Sequence, residues 1–266
     1  SLVGSEMCIR DRRIFPWNHA NCGDLNLSGE RRPQSYLRET LWSDAPVSHI
    51  VVTPPVPSFP LNPNKADWSV WDFPDVVDHW NFPGYEGKKM TVSVYSNCEQ
   101  VELFLNGESL GKQENTADKK NTLVWEVPYA HGILKAVSYN KGGEVGTATL
   151  ESAGKVEKIR LSADRTEIVA DGNDLSYITL ELVDSKGIRN QLAEELVEFS
   201  IAGDATIEGV GNANPMSIES FVANSRKTWR GSNLLVVRSG KSSGRIIVTA
   251  KVKALPVASI TITQKK

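Results

Sequence analysis

The sequence predicts a mainly β protein built from two consecutive β-sandwiches. Three observations lead there. From Lys89 onward apolar residues recur at every second position, the period of a half-buried strand. Gly, Asn, Asp and Ser cut these runs at regular intervals, as turns require. The stretch with helical spacing is short and lies near the start of the chain.

That stretch is "CGDLNLSGERRPQSYLRETLW". Leu25 and Leu27 alternate briefly before Ser28-Gly29, and Pro33 suits a first helical turn, where a missing N–H costs nothing. Tyr36, Leu37, Thr40 and Leu41 then fall at helical spacing, so a strand remnant or loop followed by one helix is expected. Residues 46–88 hold prolines at 46, 54, 55, 57, 60, 63, 74 and 83, a density that forbids helix and favours an extended linker and lead-in.

Residues 89–154 carry the first predicted sandwich. "KMTVSVYS" sets Met90, Val92 and Val94 on one face, and "VELFL" sets Val101, Leu103 and Leu105. Asn106-Gly107 separates "VELFL" from "ESLGK", a two-residue turn signal of residues that accept positive φ. "TLVWEVPY", "ILKAVSY" and "EVGTATLES" complete a set expected to be all antiparallel. Residues 155–255 carry the second, with segments from "EKIRLSAD" to "RIIVTAKV". In "YITLELV", Ile178, Leu180 and Leu182 face inward and Tyr177, Thr179 and Glu181 outward. The spacing suits an immunoglobulin-like sandwich of about one hundred residues, without the Cys–Trp–Cys core of antibody domains. Residues 256–266 are expected to be a short final strand or a tail.

Composition excludes several classes. Of the 266 residues, 40% are hydrophobic and 23% charged, the balance of a globular chain. Lys and Arg number 30 against 32 Asp and Glu, with no long basic run, so no nucleic-acid partner is expected. The apolar runs are strand-sized, so no membrane span is expected either. Cys8, Cys22 and Cys98 show no metal-ligand spacing, and neither metal nor cofactor is expected. Composition leaves the oligomeric state open and is compatible with export to the periplasm or beyond; any targeting signal would lie upstream.

Two resemblances add to this reading. The opening "SLVGSEMCIRDR", residues 1–12, resembles a translated sequencing-library adapter, which makes it an expected artefact and the chain an expected fragment. "CGDLNLSGERRPQSYLRE", "WDFPDVVDHWNFPGYEGK", "VELFLNGESLG", "LSADRTEIVADGNDLSYITLELVD" and "GVGNANPMSIESF" together resemble, in order, the C-terminal part of glycoside hydrolase family 2 enzymes of the β-galactosidase type. The resemblance implies that residues 13–45 are the last loop and helix of a (β/α)8 catalytic barrel and that the sandwiches are accessory domains. Retaining hydrolysis needs two carboxylic acids about 5–5.5 Å apart. In the family these are glutamates on earlier barrel strands, so the parent is expected to hydrolyse β-linked glycosides while this chain, lacking both, does not. The carbohydrate substrate would be met through the missing barrel.

The same resemblance places Trp17, Asn18 and His19 near the parent's sugar pocket, although Trp17 can equally pack a loop. Trp68, Trp71 and Trp80 form a candidate carbohydrate platform. Aromatics spaced irregularly between prolines more often pin a linker to a neighbouring sheet, so packing is the expectation there. Asp171, Asn173 and Asp174 carry calcium-type oxygens but read as a turn. The rival reading from another class is a non-catalytic carbohydrate-binding or adhesion protein of immunoglobulin-like domains. An orphan barrel end counts against it.

Overall fold

A 3-10 turn at Pro33–Ser35 leads into helix α1, Tyr36–Trp42, which stops at Ser43 ahead of Pro46. The computed structural model describes residues 15–17, 23–60 and 74–266. Contacts divide the chain into two units, one running to Asn26 and from Glu30 to Ser152, the other comprising Leu27–Gly29 and Ala153–Lys266.

In the first unit, β1 (Ser48–Val52), β2 (Lys89–Ser96) and β5 (Thr122–Pro128) form a three-stranded sheet with β2 central. A second sheet takes the order β4-β3-β6-β7, from β3 (Gln100–Leu105), β4 (Glu108–Glu114), β6 (Ile133–Asn140) and β7 (Gly143–Glu151). Every pairing is antiparallel. Met90, Val92 and Val94 meet Val101, Leu103 and Leu134 in one core, the alternate positions of their strands. Each such side chain, once fully buried, contributes about 1.5–3 kcal/mol. Asn106 (φ 51°) and Gly107 (φ 88°) both take positive φ, the geometry that joins β3 to β4 without splaying them.

The second unit stacks two sheets. One has the order β12-β14-β10-β8, from β8 (Lys158–Ala163), β10 (Leu175–Val183), β12 (Ala205–Gly211) and β14 (Ser232–Ser239). The other runs β13-β11-β15-β16-β9, from β9 (Glu167–Val169), β11 (Leu196–Ala202), β13 (Ser225–Lys227), β15 (Gly244–Val252) and β16 (Ala258–Lys265). Ile178, Leu180 and Leu182 are fully buried, while Tyr177 is exposed.

One feature departs from the sequence reading. Within the proline-rich 46–88 segment, β1 is a paired strand with Ile50, Val51 and Val52 buried. The prolines at 54 and 55 begin just past its end, where no ladder donor is needed. Of the final strand or tail expected at 256–266, the strand forms: β16 lies between β15 and β9 and buries Ile262 and Gln264. Its pairing with β9 is parallel, while its pairing with β15 is antiparallel.

Candidate functional site

Helix α1 places its acid where it can be tied down. Oε2 of Glu39 accepts Nη1–H of Arg31 at 2.6 Å and lies 2.9 Å from Nε2 of His49 on β1. The His49 ring stacks on Tyr36 with centroids 4.1 Å apart and planes 11° from parallel. Burial alone would raise the Glu39 pKa, but the bonds and charges of Arg31 and His49 outweigh it and hold the carboxyl below its ordinary value. A general acid needs the opposite shift, so this cluster fastens helix to strand rather than delivering a proton.

Beside it lies a hollow of about 240 Å³ whose walls include Glu39, Ser48, His49, Cys98 and Ser138. Its serines satisfy one another: Ser48 Oγ bonds Ser138 Oγ and lies 2.8 Å from Ser96 Oγ, and Ser96 Oγ donates to the Val47 carbonyl at 2.9 Å. Cys98 is a buried free thiol. Nε2 of His49 is already directed at Glu39, and its partner on the other side is an aromatic ring. Among the described residues no group of three or more His, Cys, Asp or Glu side chains could hold a metal ion. None of their helices is long and apolar enough to cross a membrane.

Of the residues singled out from sequence, Trp17 is buried and meets Phe59 edge-on at 4.9 Å. Asn18, His19, Trp68 and Trp71 lie outside the described residues. Trp80 is 0% exposed and donates its indole N–H to the Ala130 carbonyl at 2.8 Å. Tyr129 and Phe82 stand edge-on to it at 4.9 and 5.9 Å. A sugar platform needs an open ring face, and the Trp80 ring has none. The carboxylates of Asp171 and Asp174 are engaged inside their loop. Asp171 Oδ1 accepts the N–H groups of Asn173 and Asp174, and Asp174 accepts those of Val169 and Leu175 while Arg165 bonds it.

Two polar anchors were not singled out from sequence. Asp184, 3% exposed, accepts backbone N–H groups from Gly154, Lys186 and Ile188 at 2.8–2.9 Å. Its signal was available in "VDSKG", an acid at the first position of a Ser-Lys-Gly turn. Arg226 is wholly buried beneath the 212–224 loop, bonding the Val210 and Glu219 carbonyls and Ser217 Oγ, with Phe221 over its guanidinium at 4.3 Å. Burial lowers its pKa and Glu219 only partly offsets that.

Comparison with known proteins gives these sandwiches a lineage. Residues 159–261 match the family model described as glycoside hydrolase family 2 C-terminal domain 5, and residues 87–146 match a domain of unknown function. The chain carries the C-terminal region of a glycoside hydrolase family 2 protein. Among family 2 relatives, the Beta-galactosidase BoGH2A of Bacteroides ovatus is 30% identical over 253 residues, which is 95% of this chain and 26% of that protein. A Beta-glucuronidase of Formosa agariphila is 30% identical over 205 residues, 74% of this chain and 20% of that protein. The crystal structure of a family 2 member from Bacteroides cellulosilyticus matches 95% of this chain at 99% identity and a TM-score of 0.94, across 33% of its own length. A β-glycosidase from Bacteroides vulgatus matches 94% at 25% identity and a TM-score of 0.79. The chain spans about a quarter of the length of the curated relatives it matches.

Proposed function

We propose that this chain is the accessory C-terminal part of a retaining β-galactosidase-like enzyme whose catalytic carboxylates lie in polypeptide that precedes it. The observation that carries the reading is the near-identity of 95% of the chain to one third of a solved family 2 member. Residues 13–45 are then the end of a catalytic barrel, and the two sandwiches are its C-terminal domains. The engaged state of Glu39 supports an inactive chain: its carboxylate is paired with Arg31 and His49, which hold its pKa below the ordinary value, the wrong direction for a general acid. In the parent, one carboxylic acid would protonate the leaving oxygen and a second would attack the anomeric carbon.

Relatives named as β-galactosidase and as β-glucuronidase both match, and the sugar proposed for the parent is galactose because BoGH2A is matched over 95% of the chain. The test is turnover of aryl β-galactoside and aryl β-glucuronide by the purified chain and by the long Bacteroides cellulosilyticus protein. The chain should match a buffer control, and the long protein should prefer the galactoside. Turnover by the chain that vanished on substituting one of its own carboxylates would overturn the proposal.

A further inference from the structure

The sequence contains one Asn-Gly pair, Asn106-Gly107, and both residues are exposed at the tip of the β3–β4 hairpin. That dipeptide carries a chemistry of its own. The backbone nitrogen that follows an asparagine can attack the side-chain Cγ, expelling Nδ2 as ammonia and closing a succinimide ring. Water then opens the ring at either carbonyl and leaves aspartate or isoaspartate, with no change of oxidation state. A following glycine offers the least hindered nucleophile, because it has no Cβ. Water is the only co-reactant, and an exposed turn is in contact with it.

Another segment holds the reacting atoms. The Asn106 backbone N–H donates to the Ile133 carbonyl at 2.9 Å. Its side-chain Oδ1 accepts the Ile133 N–H at 2.8 Å, and Nδ2 donates to the His131 carbonyl at 3.2 Å. Both substituents of Cγ are therefore tied to residues 131–133. Ring closure has to swing Cγ towards the Gly107 nitrogen and release Nδ2, which breaks both bonds. The Ile133 N–H also polarises Cγ, but polarisation speeds attack only where the nucleophile is in position, so geometry governs. We propose that Asn106 is a guarded deamidation site, at which the 131–133 segment holds back loss of the side-chain amide. The guard depends on Gly132, since a Cβ there would fall 1.8 Å from Oδ1 and drive the amide out. Its failure is self-sustaining. Aspartate at 106 has no N–H to give the His131 carbonyl and sets two acceptors against each other. Isoaspartate adds a methylene to the backbone of a two-residue turn whose positive φ values join β3 to β4.

Peptide mapping by mass spectrometry during incubation at mildly alkaline pH tests it, with amide-to-acid conversion at Asn106 as the readout. Conversion in the folded chain should be about tenfold or more slower than in the same chain held unfolded in urea, a comparison that needs no substitution. Gly132→Ala should raise the folded rate severalfold. Ile133→Pro deletes the N–H that Oδ1 accepts, at the first residue of β6, where proline is tolerated, and should do the same. Trp80→Ala loosens the same sandwich but leaves every Asn106 bond in place, so its Asn106 should stay as slow as in wild type. Acceleration in either turn variant, with Trp80→Ala still slow, supports the guard. Equal rates in folded and unfolded wild type would overturn the proposal, as would wild-type or slower rates in both turn variants. Acceleration in Trp80→Ala as large as in the turn variants would trace the rate to unfolding and overturn it as well.

Discussion

Trp80 and Ala130 are joined by a 2.8 Å bond from the indole N–H to the backbone carbonyl, and the ring that makes it is completely enclosed. The chain that brings Trp80 there is held at the same point, since Ser152 Oγ donates to the Trp80 carbonyl and Tyr129 Oη accepts the Phe82 N–H at 3.0 Å. Trp80→Ala should therefore cost the first sandwich roughly 3–5 kcal/mol in denaturant unfolding. Trp80→Phe should cost less, because it keeps much of the ring and forfeits mainly one buried hydrogen bond, worth about 1 kcal/mol. Retention on galactan should be the same for all three proteins. A Trp80→Ala protein with wild-type stability and altered retention would return this ring to ligand binding.

Asp184 makes the second sandwich acid-sensitive in a defined direction. Burial pushes its pKa up, but the N–H groups of Gly154, Ile188, Lys186 and Gly187 more than reverse that, so its folded value lies below the ordinary one. A carboxyl with a depressed folded pKa contributes stability above its unfolded pKa, about 3.9 for Asp. That contribution is lost as pH falls through the lower folded value. Asp184→Asn should be less stable than wild type at pH 6 and should converge with it towards pH 2. Parallel stability curves across that range would show that the carboxylate charge is not what these N–H groups hold.

The turn at Asn106 is locked to its neighbour. Asn106 Oδ1 accepts the Ile133 N–H at 2.8 Å, Nδ2 donates to the His131 carbonyl at 3.2 Å, and Gly132 sits beneath at φ 143°. A Cβ on Gly132 would fall 1.8 Å from Asn106 Oδ1. Gly132→Ala should then cost about 2–3 kcal/mol, combining backbone strain with displacement of that amide. In an Asn106→Gly background the displaced group is gone, and the cost of Gly132→Ala should shrink by about 1 kcal/mol. Additive effects in the double-mutant cycle would mean strain alone sets the penalty.

What the sequence disclosed follows from which interactions are local. Strands β2 and β10 announce themselves, because alternation in "TVSV" and "YITLEL" is written into consecutive residues and the structure buries those alternate positions. Strand β1 was obscured because "SHIVV" is brief and the prolines after it dominate the local composition. The place of β16 was not legible, since pairing Thr263 with Glu167 is a long-range choice that neither strand encodes alone. For Trp80, packing was the expectation for an aromatic among prolines, but its partners were not legible, because Tyr129 and Ala130 lie far along the sequence. Arg226 shows the limit most clearly. In "NSRKTWRGS" nothing distinguishes the fully buried Arg226 from the exposed Lys227 beside it except a parity set by β11.

Arg226 also yields the sharpest test of the loop it supports. Its nearest carboxylate, on Glu219, is 4.0 Å from Nε, so neutral acceptors do most of the holding. Removing a guanidinium from water costs several kcal/mol, and a pairing this loose returns only part of it. Replacing the cation with an apolar chain of similar length should thus be nearly neutral for the fold: Arg226→Met is expected within about 1–2 kcal/mol of wild type. Arg226→Lys should be worse than Met, because it keeps a buried charge but loses the planar fork that reaches Val210 and Ser217 together. Both variants should release the 217–222 segment, whose Ile218 and Val222 are already exposed, and hydrogen exchange there should rise in each. Stability in the order wild type, Met, Lys with equal loosening of the loop separates the two roles of the side chain. A Lys variant as stable as wild type, with the loop still protected, would show that charge rather than the fork pins it.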